Sequence, residues 1–435
     1  MHFKHTLLLL TGIYSQSDSS RRVTDLRVLL SQNSYDGYII PSEDAHLNEY
    51  ISEHDKRREW LTEFTGSAGV AYVTLDYAYL VTDGRYDIQA RNELDPLIWM
   101  VNPSDSDLRN IIYTRPMKIA MCGRFFSYRA YTSIKKDLSA YNVELITLVD
   151  DLIDEIWTDD RVPQLQNPVF IHSVEYAGLD YREKLKNIQT EMINNHADYL
   201  FITKLDDIAW TLNLRGDDIP YNPLFYAYLM IEPEKATIFA NASQFDLNVI
   251  EMFQADKNLM VENYDQVYQK VSFLVNQAGK ITWMDQDRTQ IVFYELLPNN
   301  TQSISSISPP TSMKTVKNEL ETMNLVESHK RDSLALCAFF MDLERRASDG
   351  TYSELNEYDV AMLVDDARSN IKLGVYKGPS FETIAASGPN AAIVHYAPTS
   401  KVSRKLDIEE MLLVDSGGQY YDGTTDVTRT FQVFY

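Results

Sequence analysis

Two aspartates near the end of the chain, Asp415 and Asp426, are the residues whose spacing first suggests chemistry. They lie in MLLVDSGGQYYDGTTDVTRTFQVFY, residues 411–435, where apolar and β-branched residues flank a Gly-Gly break and a polar turn. If the flanking strands form an antiparallel hairpin centred near Tyr420 and Tyr421, Asp415 lies directly opposite Asp426. Two like charges that face each other destabilise a sheet, so a buried pair requires a cation or a shared proton.

This aspartate pair could bind a hard divalent cation. Carboxylate oxygens suit manganese or magnesium, and two such ions could position and activate a water molecule. The pattern is also compatible with two solvated aspartates that flank a surface turn, because aspartate is common in turns. The hairpin alone therefore leaves the metal site open.

A single histidine, His395, lies upstream in GPSFETIAASGPNAAIVHYAP, residues 378–398. It follows an apolar run and precedes a tyrosine, which is typical of a strand end. A histidine in this place is commonly a hydrogen-bonded structural residue. Alternatively, it donates a hydrogen bond to a peptide oxygen or assists the leaving amine of a hydrolysed peptide.

Length and composition limit the classes of function. The chain has 435 residues, with 40 Lys plus Arg against 63 Asp plus Glu, and a formal charge of −23. At about 150 residues per domain, three domains are expected. The acidic excess repels phosphate backbones, so nucleic acid is not an expected partner. Two cysteines, Cys122 and Cys337, are too few for a disulfide framework, and Cys337 in an apolar helical run is expected to be a buried free thiol.

Helical and β-rich segments alternate along the chain and predict mixed α/β domains. VTDLRVLLSQN has helical spacing, DGYIIPS is typical of a strand, and GVAYVTLDYAYLVTD predicts two strands around a turn. The segment RVPQLQNP and the polar run at residues 298–312 are interpreted as linkers. They divide the chain into domains at 23–163, 164–312 and 313–435, and the last begins with one long amphipathic helix.

The first twenty residues have the layout of a secretory signal peptide, with Lys4 and His5 before an apolar run and a small, polar end. Two acceptor tripeptides for N-glycosylation, which begin at Asn241 and Asn299, suit a secreted chain. No later run approaches the roughly 18 apolar residues of a transmembrane helix. A secreted or extracellular protein is therefore predicted, and a cytoplasmic location is the alternative.

The chain resembles aminopeptidase P, the Xaa-Pro aminopeptidases of the metallopeptidase group with the creatinase-like pita-bread fold. The matching segments of the first domain are DGYIIPSEDAHLNEY, RREWLTEFTGSAGVAYVT and TDGRYDIQA. Those of the second and third are LNLRGDDIPYNPLFYAY, SFETIAASGPNAAIVHYAP and LLVDSGGQYYDGTTDVTRT. The implied fold class is α/β and α+β, with two creatinase-N-like α/β domains followed by the first half of a pita-bread catalytic domain.

The resemblance implies release of the N-terminal residue from peptides with proline at the second position, by water activated at two manganese ions. Asp415 and Asp426 match the first two metal-ligand positions, and His395 matches the histidine that contacts substrate. Arg85, in TDGRY, matches a first-domain arginine that reaches the substrate site, although alone it would be interpreted as part of a surface ion pair. The signal-like start is closer to the secreted or membrane-anchored relatives, and the complete protein is a possible homodimer.

The family pattern also includes one histidine and two glutamates that have no counterpart here. None of the eight histidines lies beyond Asp426, and the chain ends nine residues after it. Two carboxylates alone hold a divalent ion weakly, so we expect little peptidase activity from the 435-residue chain by itself. The alternative function is that of a catalytically inactive secreted relative that binds peptides or protein partners.

Overall fold

The computed structural model of the protein describes residues 18–103, 116–275, 277, 279–298, 302–371 and 375–433. Residues 1–17 of the predicted signal segment, and the acceptor tripeptide that begins at Asn299, lie outside the described residues. Residues 18–20, which were predicted to end the signal, form the start of the first helix, α1 (Asp18–Gln32). Ser19 is buried there and donates a hydrogen bond to the carbonyl of Leu61 at 2.8 Å.

The first domain is a sheet with helices packed on it. Its strands are β1 (Gly37–Ile40), β2 (Val70–Thr74), β3 (Ala78–Val81), β4 (Trp99–Val101), β5 (Met117–Cys122) and β6 (Val143–Leu148). Its further helices are α2 (Arg57–Thr62), α3 (Asp87–Glu93), α4 (Tyr128–Ser139) and α5 (Leu152–Ile156). Among the described residues, six strands pair in the order β4-β3-β2-β1-β5-β6, with antiparallel neighbours on both sides of β2.

The second domain has a main sheet, a short two-stranded ladder and helices around them. Its strands are β7 (Phe170–Ile171), β8 (Tyr199–Ile202), β9 (Leu214–Arg215), β10 (Ala227–Ile231), β11 (Ala236–Ala240), β12 (Leu259–Glu262), β13 (Ile281–Trp283) and β14 (Gln302–Ile304). Its helices are α6 (Val174–Ala177), α7 (Tyr181–Asn194), α8 (Leu205–Leu212), α9 (Leu247–Ala255), α10 (Val267–Val275), α11 (Ile291–Tyr294) and α12 (Pro309–Thr315).

The main sheet of the second domain has the topology of the first. Its order is β12-β11-β10-β8-β13-β14, and its neighbours are parallel, antiparallel, antiparallel, parallel and parallel in turn. The neighbours in the first sheet follow the same series. Central strands such as β8 and β10 are buried at every residue, because helices cover both faces of the sheet. The repeat is one of topology, since no repeat is visible in the sequence.

The second domain continues through the segment that was interpreted as a linker. Strand β14 adds to the edge of the sheet beside β13, and α12 packs against α8. Pro309 occupies the first turn of α12, where a missing N–H costs nothing, and Ser308 and Pro310 are buried. The described residues of this serine- and proline-rich segment are therefore ordered by pairing and burial.

The third domain contains α13 (Glu319–Ser348), α14 (Glu357–Ser369), β15 (Tyr376–Pro379), β16 (Ile384–Ser387), β17 (Leu412–Ser416), β18 (Gly418–Tyr420) and β19 (Val427–Phe431). The long helix predicted at its start is confirmed, and Asn318 and Glu321 form its capping box. Strands pair as β16-β17-β19 and as β15-β18, all antiparallel. No helix of the described residues is long and apolar enough to cross a bilayer.

The expectation that Cys337 is buried is wrong. Leu336 and Phe339 of α13 point into the core of the third domain, but Cys337 is exposed. Successive residues of a helix differ by about 100° around its axis, so the neighbour of a core residue can face outward. An apolar run inside a helix therefore does not identify which of its members is buried.

Candidate metal and substrate site

Asp415 lies on the middle strand of the three-stranded sheet in the third domain. It is opposite Ile384 of β16 on one side and opposite Thr428 of β19 on the other. Its Oδ1 atom is buried and has no hydrogen-bond partner in the described part of the chain. Asp426 immediately precedes β19 and is exposed. Partial loss of solvent around the Asp426 carboxyl, and then the charge of Asp415, raise the pKa of that carboxyl, so the two carboxylates are close enough to repel.

The strand register differs by two residues from the predicted hairpin, in which Asp415 faced Asp426 directly. The residue opposite Asp415 is Thr428, because the chain between the strands is not a simple turn. Between β17 and β19, the chain forms strand β18, which pairs with β15 in a separate ladder. Thr425 N donates a hydrogen bond to Gly418 O at 3.0 Å. Side chains alternate with a period of two along a strand, so a two-residue shift leaves both aspartates on one face.

The aspartate pair fits part of a site for a hard divalent cation. A buried carboxylate oxygen without a donor is costly, and a cation beside it would remove that cost and the repulsion with Asp426. Oxygen donors of this kind suit manganese or magnesium. In the described residues, however, no group of three or more His, Cys, Asp or Glu side chains is placed to hold a metal. Asp415 and Asp426 therefore provide two carboxylate ligands of the type that a hard divalent cation prefers.

Two adjacent residues of α13 hold the loop between the aspartates. Arg331 donates Nη1 and Nη2 to the two carboxylate oxygens of Asp422, at 3.0 and 2.6 Å. Asp332 is 1% exposed and accepts hydrogen bonds from Tyr420 OH and Arg368 Nε, each at 2.7 Å. The sequence gives no signal for this clamp, because an Arg-Asp pair on an amphipathic helix usually lies in solvent.

Gly417 follows Asp415 in this loop, and only glycine fits there because no space is left for a side chain. A Cβ atom there would lie 2.0 Å from Thr425 O and 2.1 Å from Ser380 Oγ. Ser380 ties the two chains together, since its N–H donates to Gly417 O at 3.1 Å and its hydroxyl donates to Thr425 O at 2.8 Å. The backbones that follow Asp415 and precede Asp426 therefore run in direct contact.

His395 contacts the first domain rather than the aspartates. Its Nδ1 atom is hydrogen-bonded to Tyr86 OH, and the two rings meet edge to face with centroids 5.1 Å apart. Tyr86 OH also lies 2.6 Å from Ser67 Oγ. No hydrogen bond or ion pair between described residues joins His395 to Asp415 or Asp426.

Glu357, at the start of α14, organises the segment that carries His395. Its buried carboxylate accepts from Ser387 N at 2.7 Å, Asn390 Nδ2 at 2.9 Å, Tyr396 OH at 2.7 Å and Arg404 N at 2.9 Å. Burial alone would raise the pKa of this carboxyl, but these donors hold it below its ordinary value. One carboxylate thus fixes four points along the loop on both sides of the histidine.

Arg85 forms a surface ion pair, which is the interpretation expected of this arginine without the family resemblance. Its side chain is 45% exposed and donates Nε and Nη2 to the two oxygens of Asp83, at 2.9 and 2.8 Å. These hydrogen bonds lower the pKa of Asp83 to about 2. Arg85 is nevertheless one residue from Tyr86, so it lies beside the contact between the first and third domains.

A cavity of about 260 Å³ opens where the three domains meet. Ser67 lines it, next to the Tyr86–His395 contact. The wall comes from all three domains and combines acidic and phenolic residues, among them Glu49, Tyr50, Glu59, Tyr221 and Glu382, with the cations Lys56 and Arg58. Burial raises the pKa of the Glu59 and Glu382 carboxyls and raises that of Tyr50 to about 12. The sequence had no signal for this cavity, since its residues are spread over more than 300 positions.

Three successive parts of the chain match models of known protein families. Models of the Creatinase/Prolidase N-terminal domain match residues 22–156 and 160–321, and the model of Metallopeptidase family M24 matches residues 324–435. The chain is 36% identical to Xaa-Pro aminopeptidase 2 of Sus scrofa over 425 residues. It is 33% identical to a probable Xaa-Pro aminopeptidase P of Coprinopsis cinerea, over 95% of this chain and 68% of that protein. The chain belongs to the Xaa-Pro aminopeptidase family of M24 metallopeptidases.

A solved member of the family has the same fold. The X-prolyl aminopeptidase of Caenorhabditis elegans, described as a cytosolic enzyme with a di-nuclear active site, matches with a TM-score of 0.89 and 31% sequence identity. The match covers 96% of this chain and 71% of that structure. The predicted family and fold class are therefore confirmed. The chain spans about 62% of the length of the mammalian relatives.

Proposed function

We propose that this chain contributes the substrate-recognition domains and two metal ligands of a manganese-dependent Xaa-Pro aminopeptidase. The enzyme releases the N-terminal residue of peptides that have proline at the second position. The observation that carries the proposal is the Asp415–Asp426 pair, with a buried oxygen that lacks a donor, inside the region that matches family M24. Relatives with the name Xaa-Pro aminopeptidase support the reaction and the substrate class.

In this proposal, Asp415 and Asp426 hold the metal through their carboxylate oxygens. The chemistry expected of bound manganese is activation of a water molecule and polarisation of the carbonyl before proline. His395, whose Nδ1 is occupied by Tyr86, offers its Nε2 atom as a donor to the oxyanion that develops on that carbonyl. Arg85 can also leave Asp83 to turn toward a peptide, because surface ion pairs of this kind contribute little to stability.

A dedicated enzyme is expected for this substrate because proline changes the peptide bond. Its nitrogen has no N–H to donate, and its ring fixes φ near −65°. A site that recognises other peptides through that N–H would leave its acceptor without a partner. The cavity between the three domains, close to His395, is the region where such a peptide would enter.

The first experiment measures metal binding and peptide cleavage by the purified 435-residue chain. We expect weak manganese binding, detected by electron paramagnetic resonance, that is lost in Asp415→Asn and in Asp426→Asn. We also expect little release of the first residue from an Xaa-Pro peptide, because the described residues supply two carboxylates. Equal manganese binding by the parent chain and both variants would refute the site. Robust manganese-dependent cleavage would refute the expectation of low activity.

We also propose that the protein enters the secretory pathway, on the basis of the signal-like residues before the folded domain. A leader that included residue 20 would remove Ser19, whose hydroxyl is buried against Leu61 and accepts from Trp99 Nε1 at 2.8 Å. Processing is therefore expected before Asp18, which begins α1. N-terminal sequencing of the protein secreted from eukaryotic cells tests this location, and retention of an unprocessed start in the cytosol would refute it.

A further inference from the structure

Tyr86 connects the histidine of the candidate site to a different domain. Its hydroxyl lies between His395 Nδ1 and Ser67 Oγ, and it is within hydrogen-bonding distance of both. The tyrosine and the histidine are 309 positions apart. The orientation of His395 therefore depends on how the first and third domains meet.

The ring of Tyr86 has little freedom to move. It is 1% exposed and meets the ring of Phe64 edge to face, with centroids 6.1 Å apart. Gly66 lies so close that a Cβ atom there would be 2.7 Å from Tyr86 Cδ1 and 2.3 Å from Phe64 Cζ. Arg58 holds the same loop, donating Nη1 to Phe64 O at 3.0 Å and Nη2 to Gly66 O. The phenol oxygen is thus fixed in place before a substrate arrives.

The hydrogen bonds can be assigned a direction from the chemistry of the three groups. A phenol has one proton to donate, and an unprotonated imidazole nitrogen is a stronger acceptor than a hydroxyl oxygen. Tyr86 therefore donates to His395 Nδ1 and accepts from Ser67, which is exposed and free to turn its hydroxyl. The hydrogen bond at one imidazole nitrogen decides which nitrogen carries the proton. This direction leaves the proton of neutral His395 on Nε2.

We propose that Tyr86 is a positioning residue that holds His395 in the Nε2–H tautomer and aims that N–H at the substrate. The consequence for substrate rests on the proposed function, in which His395 donates to the developing oxyanion. Among the described residues, Nε2 of His395 has no hydrogen-bond partner, so it is the nitrogen available to a peptide. The ion pair of Arg85 and Asp83 lies beside this contact, with the Arg85 guanidinium 5.2 Å from the centroid of the Tyr86 ring.

The test is the tautomer of His395 in the intact chain, measured by long-range ¹H–¹⁵N spectra of protein with ¹⁵N-labelled histidine. Loss of one signal in His395→Gln assigns the residue among the eight histidines. We expect the Nε2–H tautomer in the parent chain. We expect Tyr86→Phe to lower the ratio of Nε2–H to Nδ1–H by about fivefold or more, which corresponds to the loss of one neutral hydrogen bond. The signal of His46, which is buried between the first and second domains, should not change and reports that the fold is intact.

Ser67→Ala keeps the donor to His395 and serves as the matched variant, with the Nε2–H tautomer expected to remain. A parent chain with the proton on Nδ1, or an unchanged ratio in folded Tyr86→Phe, would overturn the proposal. If Tyr86→Phe does not fold, the tautomers of the parent chain and of Ser67→Ala decide by themselves, since Nδ1–H in either one reverses the assigned direction. These spectra need no metal or turnover, so their outcome is separate from success or failure of the peptidase assay.

Discussion

Replacement of Glu357 by glutamine should loosen the loop that carries His395 without changing the size of the side chain. The amide keeps one acceptor oxygen and replaces the other with a donor. Donors from Ser387, Asn390, Tyr396 and Arg404 then compete for a single oxygen. The Tyr396 hydroxyl can turn and accept, but a backbone N–H such as that of Arg404 cannot.

The expected cost follows from the groups that lose their acceptor. One buried N–H without a partner costs about 1–3 kcal/mol, and the hydrogen bonds that remain lose the strength added by the negative charge. Together these terms give about 2–4 kcal/mol for Glu357→Gln. The matched control is Glu354→Gln, which makes the same chemical change three residues away at an exposed position. It should cost less than about 0.5 kcal/mol.

Hydrogen exchange is the suitable assay, because all five tryptophans precede the third domain and fluorescence would not report on it. In peptides from 384–404, Glu357→Gln should lower protection by about 30- to 900-fold, as expected when a local opening becomes 2–4 kcal/mol easier. Protection equal to that of the Glu354→Gln chain would refute the role of the carboxylate.

The pH dependence of the same peptides gives a second test. The folded pKa of Glu357 lies below its ordinary value of 4.5. A lowered pKa adds stability above the ordinary value, and this contribution is lost as pH falls through the lower folded value. Protection of residues 384–404 in the parent chain should therefore decline as pH falls below about 4.5. Glu357→Gln should remove this acid-dependent part, and an unchanged decline would contradict the assignment.

Three further predictions concern the aspartate loop and its support. Gly417→Ala forces two backbones apart and should destabilise the third domain by about 1–3 kcal/mol. Gly84→Ala, which has open space around it, should be neutral. Equal hydrogen-exchange protection of the third domain in the two variants would refute the close packing at Gly417. Manganese at ten times its dissociation constant should raise the free energy of unfolding by about 1.4 kcal/mol, and a gain that persists in both Asp415→Asn and Asp426→Asn would place the metal elsewhere. Arg368→Met strands a buried carboxylate and should cost about 3–5 kcal/mol in chemical denaturation, and a loss under 1 kcal/mol would contradict that ion pair.

Much of the fold could be predicted from local pattern. Strands such as β1 and helices such as α13 have strong periodicity or apolar runs, and they form where the sequence indicates. The segment at 298–312 is different, because its composition suggests a linker while its backbone pairs with β13. Sheet pairing at an edge depends on a neighbour that lies outside the segment, so composition cannot reveal it.

The candidate site also combines features that the local sequence predicts with features that depend on distant parts of the chain. Asp415 and Asp426 are eleven positions apart, and a break between two β-rich runs was enough to bring them together in prediction. The register remained out of reach, because β18 pairs with β15 rather than extending a simple turn. The partners of His395 were also out of reach, since Tyr86 belongs to another domain and Glu357 to another helix.

The amino-acid sequence was sufficient to predict the family and the fold class, and it singled out Asp415 and Asp426 as a candidate pair. These features depend on motifs and on neighbours within about a dozen residues, where chain connectivity limits the possible geometry. Only the packing of the folded chain creates the cavity between the domains, the clamp from α13 and the hydrogen bond that orients His395. Those contacts arise when surfaces distant in the chain pack together, and burial then leaves each polar group only the partners that the surrounding protein supplies.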